Sequence, residues 1–296
     1  MRLCYAHLGG GPFVALAHGD HWINVNRAAR DLPAGFPWLA SCPEPNLVDW
    51  LRHAPDLAAT LTQLTTQLSE TGSLQSYQAQ GELHLLAPIP NPSKIIALGR
   101  NYAAHAAERG HKVPDQPVFF AKAPSSIIGP GDDIIYPDYV QRLDPEIELA
   151  LVIGRRTKAV PEDRAMSCVA GYTILNDVTA RDMQSKAQES RYPWFASKSL
   201  DTFCPLGPYL VLSDEIHDPH DLPLTLRVNG QVRQESNTSM MVFKVPYLIA
   251  FISKHMTLEP GDIIATGTPE GTAPVQRGDI LECSVARLGS LTNRVM

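Results

Sequence analysis

The sequence predicts an α+β fold dominated by β-strands, with a small α/β region ahead of it. Past residue 92 the chain carries short apolar runs rich in β-branched and aromatic residues: IIAL (95–98), VFFAK (118–122), IELALVIG (147–154), LTLRVNGQV (224–232) and DIIATG (262–267). Such composition fits a pleated, half-buried surface. Gly-Asp precedes apolar runs at 131–132, 261–262 and 278–279, each a turn that feeds a strand. Three helical stretches interrupt the strands: Tyr102–Arg109 with Asn101 as its expected N-cap, Arg181–Glu189 with Thr179 and Asp182 at capping-box spacing, and Val245–Lys254.

Ahead of these, short strands are expected at Phe13–Leu16 and Trp22–Val25 and a helix over Asp56–Gln67. Pro88, Pro90 and Pro92 then remove backbone donors and hold the chain extended. A junction near 86–93 divides the chain into a small N-terminal domain, 1–88, and a larger one, 92–296. The length of 296 residues suits that division at roughly 150 residues per domain.

Composition excludes several classes of function. With 44% hydrophobic residues and only mildly raised Gly and Pro (20 and 25), the chain is neither disordered nor collagen-like. A net charge of −6 without a basic cluster argues against nucleic acid as a partner. No apolar run approaches the ~18 residues that cross a bilayer, and the N-terminus lacks a basic start followed by an apolar segment, so neither a membrane partner nor a targeting signal is expected. The five cysteines are widely spaced and form no C-x-x-C, which fits a reducing cytoplasm better than a disulfide framework or a zinc knuckle.

In Asp144-Pro-Glu146-Ile-Glu148-Leu-Ala-Leu-Val-Ile, the two glutamates are two apart in a strand and project from one face. Either this is an edge strand whose glutamates face water, or the pair is buried and needs a bound cation or a paired Lys or Arg. The continuing run LALVIG reads as a buried strand and favours the second. Asp177 follows the apolar run VAGYTIL and precedes a helix, as a plain cap or as a third carboxylate of the same site. Three carboxylates without Cys or paired His form an all-oxygen donor set, suited to Mg²⁺ or Mn²⁺, with Ca²⁺ as a possible substitute.

His105 and Glu108, at i and i+3, share a helix face, as a solvated pair or as a dyad in which the carboxylate orients an imidazole that handles water. Lys198, in the aromatic setting WFASKSLD, is either a snorkelling lysine or an ammonium seeking a carboxylate or an anionic ligand. The turn Thr266-Gly-Thr268-Pro-Glu-Gly271 offers hydroxyls and backbone N–H groups that can hold a carboxylate.

In order, the motifs GxNYxxHxxE, ExELAxVIG, NDVTARD, KSxDxxxPLGP and GDIIxTGTPxG closely resemble the fumarylacetoacetate hydrolase family over about residues 92–296. The resemblance implies a C-terminal domain folded as a mixed β-sandwich roll, a homodimer, and a divalent metal beside a mobile lid. Matched motif to motif, it makes Glu146, Glu148 and Asp177 the metal ligands, His105 and Glu108 the lid dyad, and Lys198 the charge stabiliser. Arg181, Gln184 and Thr268 fall where the family holds the 2-oxo acid end of its substrate. Pro145 stands where the family has an aromatic residue, and Ser197 where it has glycine.

The activity this implies is Mg/Mn-dependent chemistry on a small 2-oxo acid through its enolate. Hydrolysis of the C–C bond of an acylpyruvate or fumarylpyruvate-like diketo acid is the first expectation, because the water-activating pair is complete. Decarboxylation of an oxaloacetate-type acid or isomerisation of 2-hydroxyhepta-2,4-diene-1,7-dioate, as in aromatic catabolism, is the alternative. A non-catalytic metal-binding β domain is the third. The distal end of the substrate is expected to meet variable loops and the Met240-Met241 segment.

Overall fold

The strand Ile147–Ile153 is buried at every position, and the architecture follows from what covers its two faces. Successive side chains alternate. Ile147, Leu149, Leu151 and Ile153 join an apolar layer with Leu224, Leu226, Leu281 and the helix Val245–His255. Ala150 and Val152 face the other way, into a second layer with Leu47, Val48, Leu61 and Leu64. Glu148 and Glu146 continue that second face past the end of the apolar cover, so the strand delivers its carboxylates to an opening between layers.

The computed structural model describes residues 1–32, 35–42, 45–54 and 56–296. An 11-stranded sheet runs from His21–Asn24 through Phe13–His18, Arg2–His7, Cys204–Leu212, Val169–Asn176, Ile147–Ile153, Ile263–Ala265 and Ile95–Gly99 to Val118–Lys122 at its edge. Off this path His84–Leu86 pairs with Arg2–His7 and Ile127–Ile128 with the start of Cys204–Leu212; most pairs are antiparallel, whereas Ile263–Ala265 with Ile95–Gly99 and Ile127–Ile128 with Cys204–Leu212 are parallel. A 5-stranded sheet, with Pro223–Val228 and Ile280–Val285 near its middle, packs across the first apolar layer. The fold is the mixed, mostly β arrangement that the sequence predicts. Among the described residues, no helix is long and apolar enough to cross a membrane.

Residues 1–88 add strands and helices to this frame. Arg2–His7 pairs with Cys204–Leu212, Leu3 opposite Leu210. The helix Leu57–Glu70 is capped by Asp56, whose side chain accepts from the Ala59 N–H, and it buries Leu57, Leu61, Leu64 and Leu68 along one face. It runs three residues past the expected Gln67 because Leu68 extends the buried stripe. The strand expected to reach Val25 stops at Asn24, whose side chain caps the helix Val25–Asp31. The Pro88–Pro92 segment forms neither helix nor strand, and Ile89 within it is fully buried.

Other expectations are corrected by contacts distant in sequence. Asn101 is not an N-cap: the helix Ala103–Glu108 starts after Tyr102 with no side-chain cap. Asn101 Nδ2 donates instead to the Thr266 and Phe243 carbonyls (2.8 and 3.2 Å), and its Oδ1 accepts from the Phe243 N–H. Thr179 and Asp182 form no capping box either: the Thr179 hydroxyl donates to the Asp177 carbonyl, while Asp182 accepts from the Gln141 and Arg142 N–H groups. LTLRVNGQV is a hairpin, Pro223–Val228 with Gln231–Asn237, turning at Asn229-Gly230. The strand within DIIATG ends at Ala265, after which Thr266 donates its hydroxyl to the Leu149 carbonyl.

Asp262, fully buried, ties the start of the larger region together. It accepts from Ser93 Oγ (2.5 Å) and from the Lys94 and Glu259 N–H groups (3.2 and 2.7 Å), and it pairs with the Lys94 ammonium. Removing one partner of such a buried pair leaves the others unsatisfied. Asp262→Ala is therefore expected to destabilise the fold by about 3 kcal/mol, read as a lower urea midpoint with an unchanged m-value.

Candidate metal centre and active site

The antiparallel register sets Ile147 opposite Asn176 and Glu148 opposite Leu175, so Glu146 and Asp177 meet where the two strands end. Asn176 Oδ1 accepts from the Glu146 N–H, and the Asp177 N–H donates to the Glu146 carbonyl, both at 2.8 Å. Glu146, Glu148 and Asp177 are each no more than 3% exposed, and one oxygen from each lies within 4.8 Å of the others. The edge-strand reading and the plain-cap reading are both excluded by that burial.

Lys198 projects from the short helix Phe195–Lys198 into this cluster. Its Nζ lies 2.6 Å from Glu146 Oε2 and 2.5 Å from Asp177 Oδ2, at 2% exposure. It is no snorkelling residue. Lys122, at the end of the strand Val118–Lys122, lies 2.7 Å from Asp177 Oδ1 and donates to the Lys198 carbonyl. Arg181 donates to Glu146, to Asp144 (2.8 Å) and to Gln184 Oε1. Asp144, fully buried, also receives Arg142 and Arg109 (2.9 and 3.1 Å).

These pairings divide the two glutamates. Burial alone would raise the Glu146 pKa, but the Lys198 and Arg181 charges outweigh it and hold the carboxyl well below its usual range. Glu148 moves the other way: burial, then the Asp177 charge, push it well above the usual range against the opposing Lys198 charge. Among the described residues its hydrogen bond comes from the Gly267 N–H (2.7 Å). Gly267 adopts φ +94°, and a Cβ there would stand 2.9 Å from Asn101 Cβ, so only glycine brings this N–H to Glu148. A buried all-oxygen set with one carboxylate left uncompensated fits a divalent cation, which would hold Glu148 ionised.

His105 faces the same pocket. Its Nδ1 is 3.5 Å from Glu108 Oε2, a contact rather than a formed hydrogen bond, and Glu108 Oε1 accepts from the Gly271 N–H at 3.1 Å. The His105 side chain is 12% exposed, which excludes a merely solvated pair. Burial lowers its pKa against the opposing Glu146 charge, leaving a neutral imidazole at neutral pH, ready to accept a proton.

His105, Glu146, Glu148, Arg181, Gln184, Lys198 and Thr268 line one pocket of about 220 Å³. Asp177 and Glu108 do not line it but contact Lys198 and His105, which do. Thr268 is held by Gln234, whose Nε2 donates to its hydroxyl at 2.9 Å and whose Oε1 accepts from the Ile147 N–H. The Met240-Met241 segment is not part of the lining: Met241 is buried in a bridge to Tyr102, and Arg100, His111 and Trp194 stand in the pocket instead.

Sequence reasoning missed Lys122, Asp144 and Gln234. Lys122 had one readable sign, a charged residue closing an apolar strand. Asp144 and Gln234 act through partners on other elements, which the sequence alone does not pair.

Fold and site together define an enzyme class with a buried acidic triad, a neighbouring lysine and an imidazole. The family model for the fumarylacetoacetate (FAA) hydrolase C-terminal region matches residues 94–296, and the chain belongs to that family. It is 46% identical over 298 residues to the oxaloacetate tautomerase FAHD2A, mitochondrial, of Bos taurus, covering 98% of this chain and 89% of the relative. Its structure resembles maleylpyruvate hydrolase from Sphingobium sp. SYK-6 in complex with manganese(II) and pyruvate, at a TM-score of 0.77 and 31% identity, over 100% of this chain and 99% of that one. It also resembles 5-carboxymethyl-2-hydroxymuconate delta-isomerase from Mycobacterium smegmatis, at 0.74 and 36%, over 100% and 98%.

Calorimetric titration of chelator-stripped protein with Mn²⁺ should show a single class of site. Glu148→Gln should weaken binding by at least about 100-fold, since even outer-shell partners cost ~10–100-fold. Mn²⁺ at 100 times its Kd should stabilise the fold by about 2.7 kcal/mol.

Proposed function

We propose that this protein is a divalent-metal-dependent enzyme that moves a proton on a 2-oxo dicarboxylic acid, interconverting the enol and keto forms of oxaloacetate. The observation that carries this reading is one neutral imidazole, His105, sharing a small pocket with Lys198, Arg181 and the acidic triad. Similarity to the mitochondrial oxaloacetate tautomerase along nearly the whole chain supports the choice of substrate.

Glu146, Glu148 and Asp177 would hold Mg²⁺ or Mn²⁺, which supplies a Lewis acid for the substrate's 2-oxo oxygen. Arg181, Gln184 and Thr268 hold and orient the adjacent carboxylate. His105, with Nδ1 turned to Glu108, offers its other ring nitrogen to the substrate: it takes a proton from C3 as the C2–C3 double bond forms and passes it to the C2 oxygen to complete the enol, and the reverse transfer from the enol O–H to C3 restores the keto form. Lys198 stays protonated between Glu146 and Asp177, because their charges outweigh the effect of burial, and it stabilises negative charge on the substrate oxygen.

Hydrolysis of an acylpyruvate is the second reading, favoured by the His105–Glu108 pair, in which the same imidazole would take its proton from a water. Assembly as a homodimer in a cytoplasmic setting, without nucleic-acid or membrane partners, and a boundary between 88 and 92 belong to the same proposal. The start of the family match at residue 94 supports that boundary.

The test follows enol-oxaloacetate, acetylpyruvate and CO₂ side by side with Mn²⁺. Metal-dependent loss of enol absorbance without CO₂ or cleavage is expected. Pyruvate released from acetylpyruvate alone would establish the hydrolase instead. His105→Ala should lower kcat by about 10²–10⁴-fold while Mn²⁺ affinity is unchanged.

Because burial lowers the His105 pKa, the neutral form persists below the ordinary histidine value near 6.5. Turnover should therefore hold from neutral pH downward and fall only through an ionisation on the acid side of that value. An acid limb centred at or above pH 7 would count against His105 as the base.

A further inference from the structure

The charges around the pocket are unequally engaged. Arg181, Lys198 and Arg109 line it, but each is bound to protein carboxylates: Arg181 to Glu146 and Asp144, Lys198 to Glu146 and Asp177, Arg109 to Asp144. Arg100 lines the same pocket and, among the described residues, pairs with no carboxylate. Its guanidinium carbon instead sits over the Trp194 ring, 5.7 Å from the centroid.

The backbone at Arg100 is held in an uncommon state. Its φ of +60° is the left-handed region, which a long side chain adopts only when the surroundings impose it, and such residues cluster at ligand sites. The neighbouring Gly99 shows the same fit: a Cβ there would stand 2.7 Å from Trp194 Cζ3. Absence of a side chain at 99 lets the indole lie against the chain where Arg100 turns. His111 lines the same region, and burial first, then the Arg100 and Arg109 charges, lower its pKa.

The geometry points to Arg100 as the residue that receives the second carboxylate of the substrate, with Trp194 fixing the guanidinium and His111 beside it. Resting on the reading above, this assigns a side chain to the second charge of the 2-oxo dicarboxylic acid. Arg181, Gln184 and Thr268 take the carboxylate next to the 2-oxo group, and Arg100 takes the far one. An uncharged tail leaves Arg100 unpaired. A guanidinium already stacked and partly withdrawn from water gains from a carboxylate in a geometry a point-like ammonium matches less well.

The experiment measures calorimetric binding of 3,3-difluoro-oxaloacetate, which has no C3 proton to lose, and of its C4 amide to Mn²⁺-loaded protein. The wild type should prefer the dianion by about 30-fold, Arg100→Met should abolish that preference while changing amide affinity less than about threefold, and Arg100→Lys should restore part of it. Arg100→Gly, which accepts φ +60° without strain, should lose the preference while keeping its melting temperature and Mn²⁺ affinity. Equal affinity of the wild type for both ligands, or equal weakening of both in Arg100→Met, would overturn the assignment. Either result together with retained turnover of enol-oxaloacetate overturns only the role of Arg100. Arg100-dependent binding without turnover of enol-oxaloacetate overturns the reaction and leaves the dicarboxylate site standing. Binding of neither ligand by the wild type overturns both.

Discussion

The constraint on which this structure turns is the burial of three carboxylates at the paired ends of two central strands. An ionised carboxylate taken from water loses far more than packing returns unless charge compensates it. The chain supplies compensation from separate elements: Lys198 from a short helix, Lys122 from the edge strand, Arg181 from the helix Arg181–Glu189. Each can reach the cluster only if the sheet order, the corner after Asn176 and the return of the chain at 195–198 are all correct. The site therefore specifies tertiary structure as much as the tertiary structure specifies the site.

Compensation is uneven, and the unevenness is where chemistry enters. Glu146 has two cations and Glu148 has a backbone N–H. A site built for stability alone would have paired both or replaced them with apolar residues, since a buried ion pair is weak evidence for stability. Leaving Glu148 short of positive charge makes a cation the natural completion of the cluster. The same reasoning separates the arginines of the pocket, of which only Arg100 is left without a carboxylate of the protein's own among the described residues.

What the sequence disclosed was set by range. The E-x-E spacing, the apolar strand that follows it and the helix carrying His105 and Glu108 are local patterns, and they appear in the structure as expected. Asn101, Thr179 and Asp182 also look local, as helix caps, yet each is claimed by a partner distant in sequence or by a tighter turn. Capping is worth about 1 kcal/mol, which a buried hydrogen bond to a distant carbonyl can match or exceed. Asp144 had little local sign, because beside its neighbour Arg142 its meaning lies in two arginines brought from residues 109 and 181. The left-handed turn at Arg100 is equally silent in sequence, since GRNY names the residue but not its dihedral.

Asp144 also links the two halves of the site. Arg181 donates to both Asp144 and Glu146, and Arg109, at the end of the helix that carries His105, donates to Asp144 and to Thr272. Glu108 from that helix reaches the Gly271 N–H of the same 268–272 turn that presents Thr268 to the pocket. The imidazole is therefore positioned by the network that balances the acidic triad, not by its own short helix of six residues, which would be marginal in isolation. Beyond the burial that lowers the imidazole's pKa, the Glu146 charge opposes that lowering and the Arg181 and Arg109 charges add to it. In this arrangement the helix that carries the base and the acidic triad are tied to one hydrogen-bonded framework centred on Asp144.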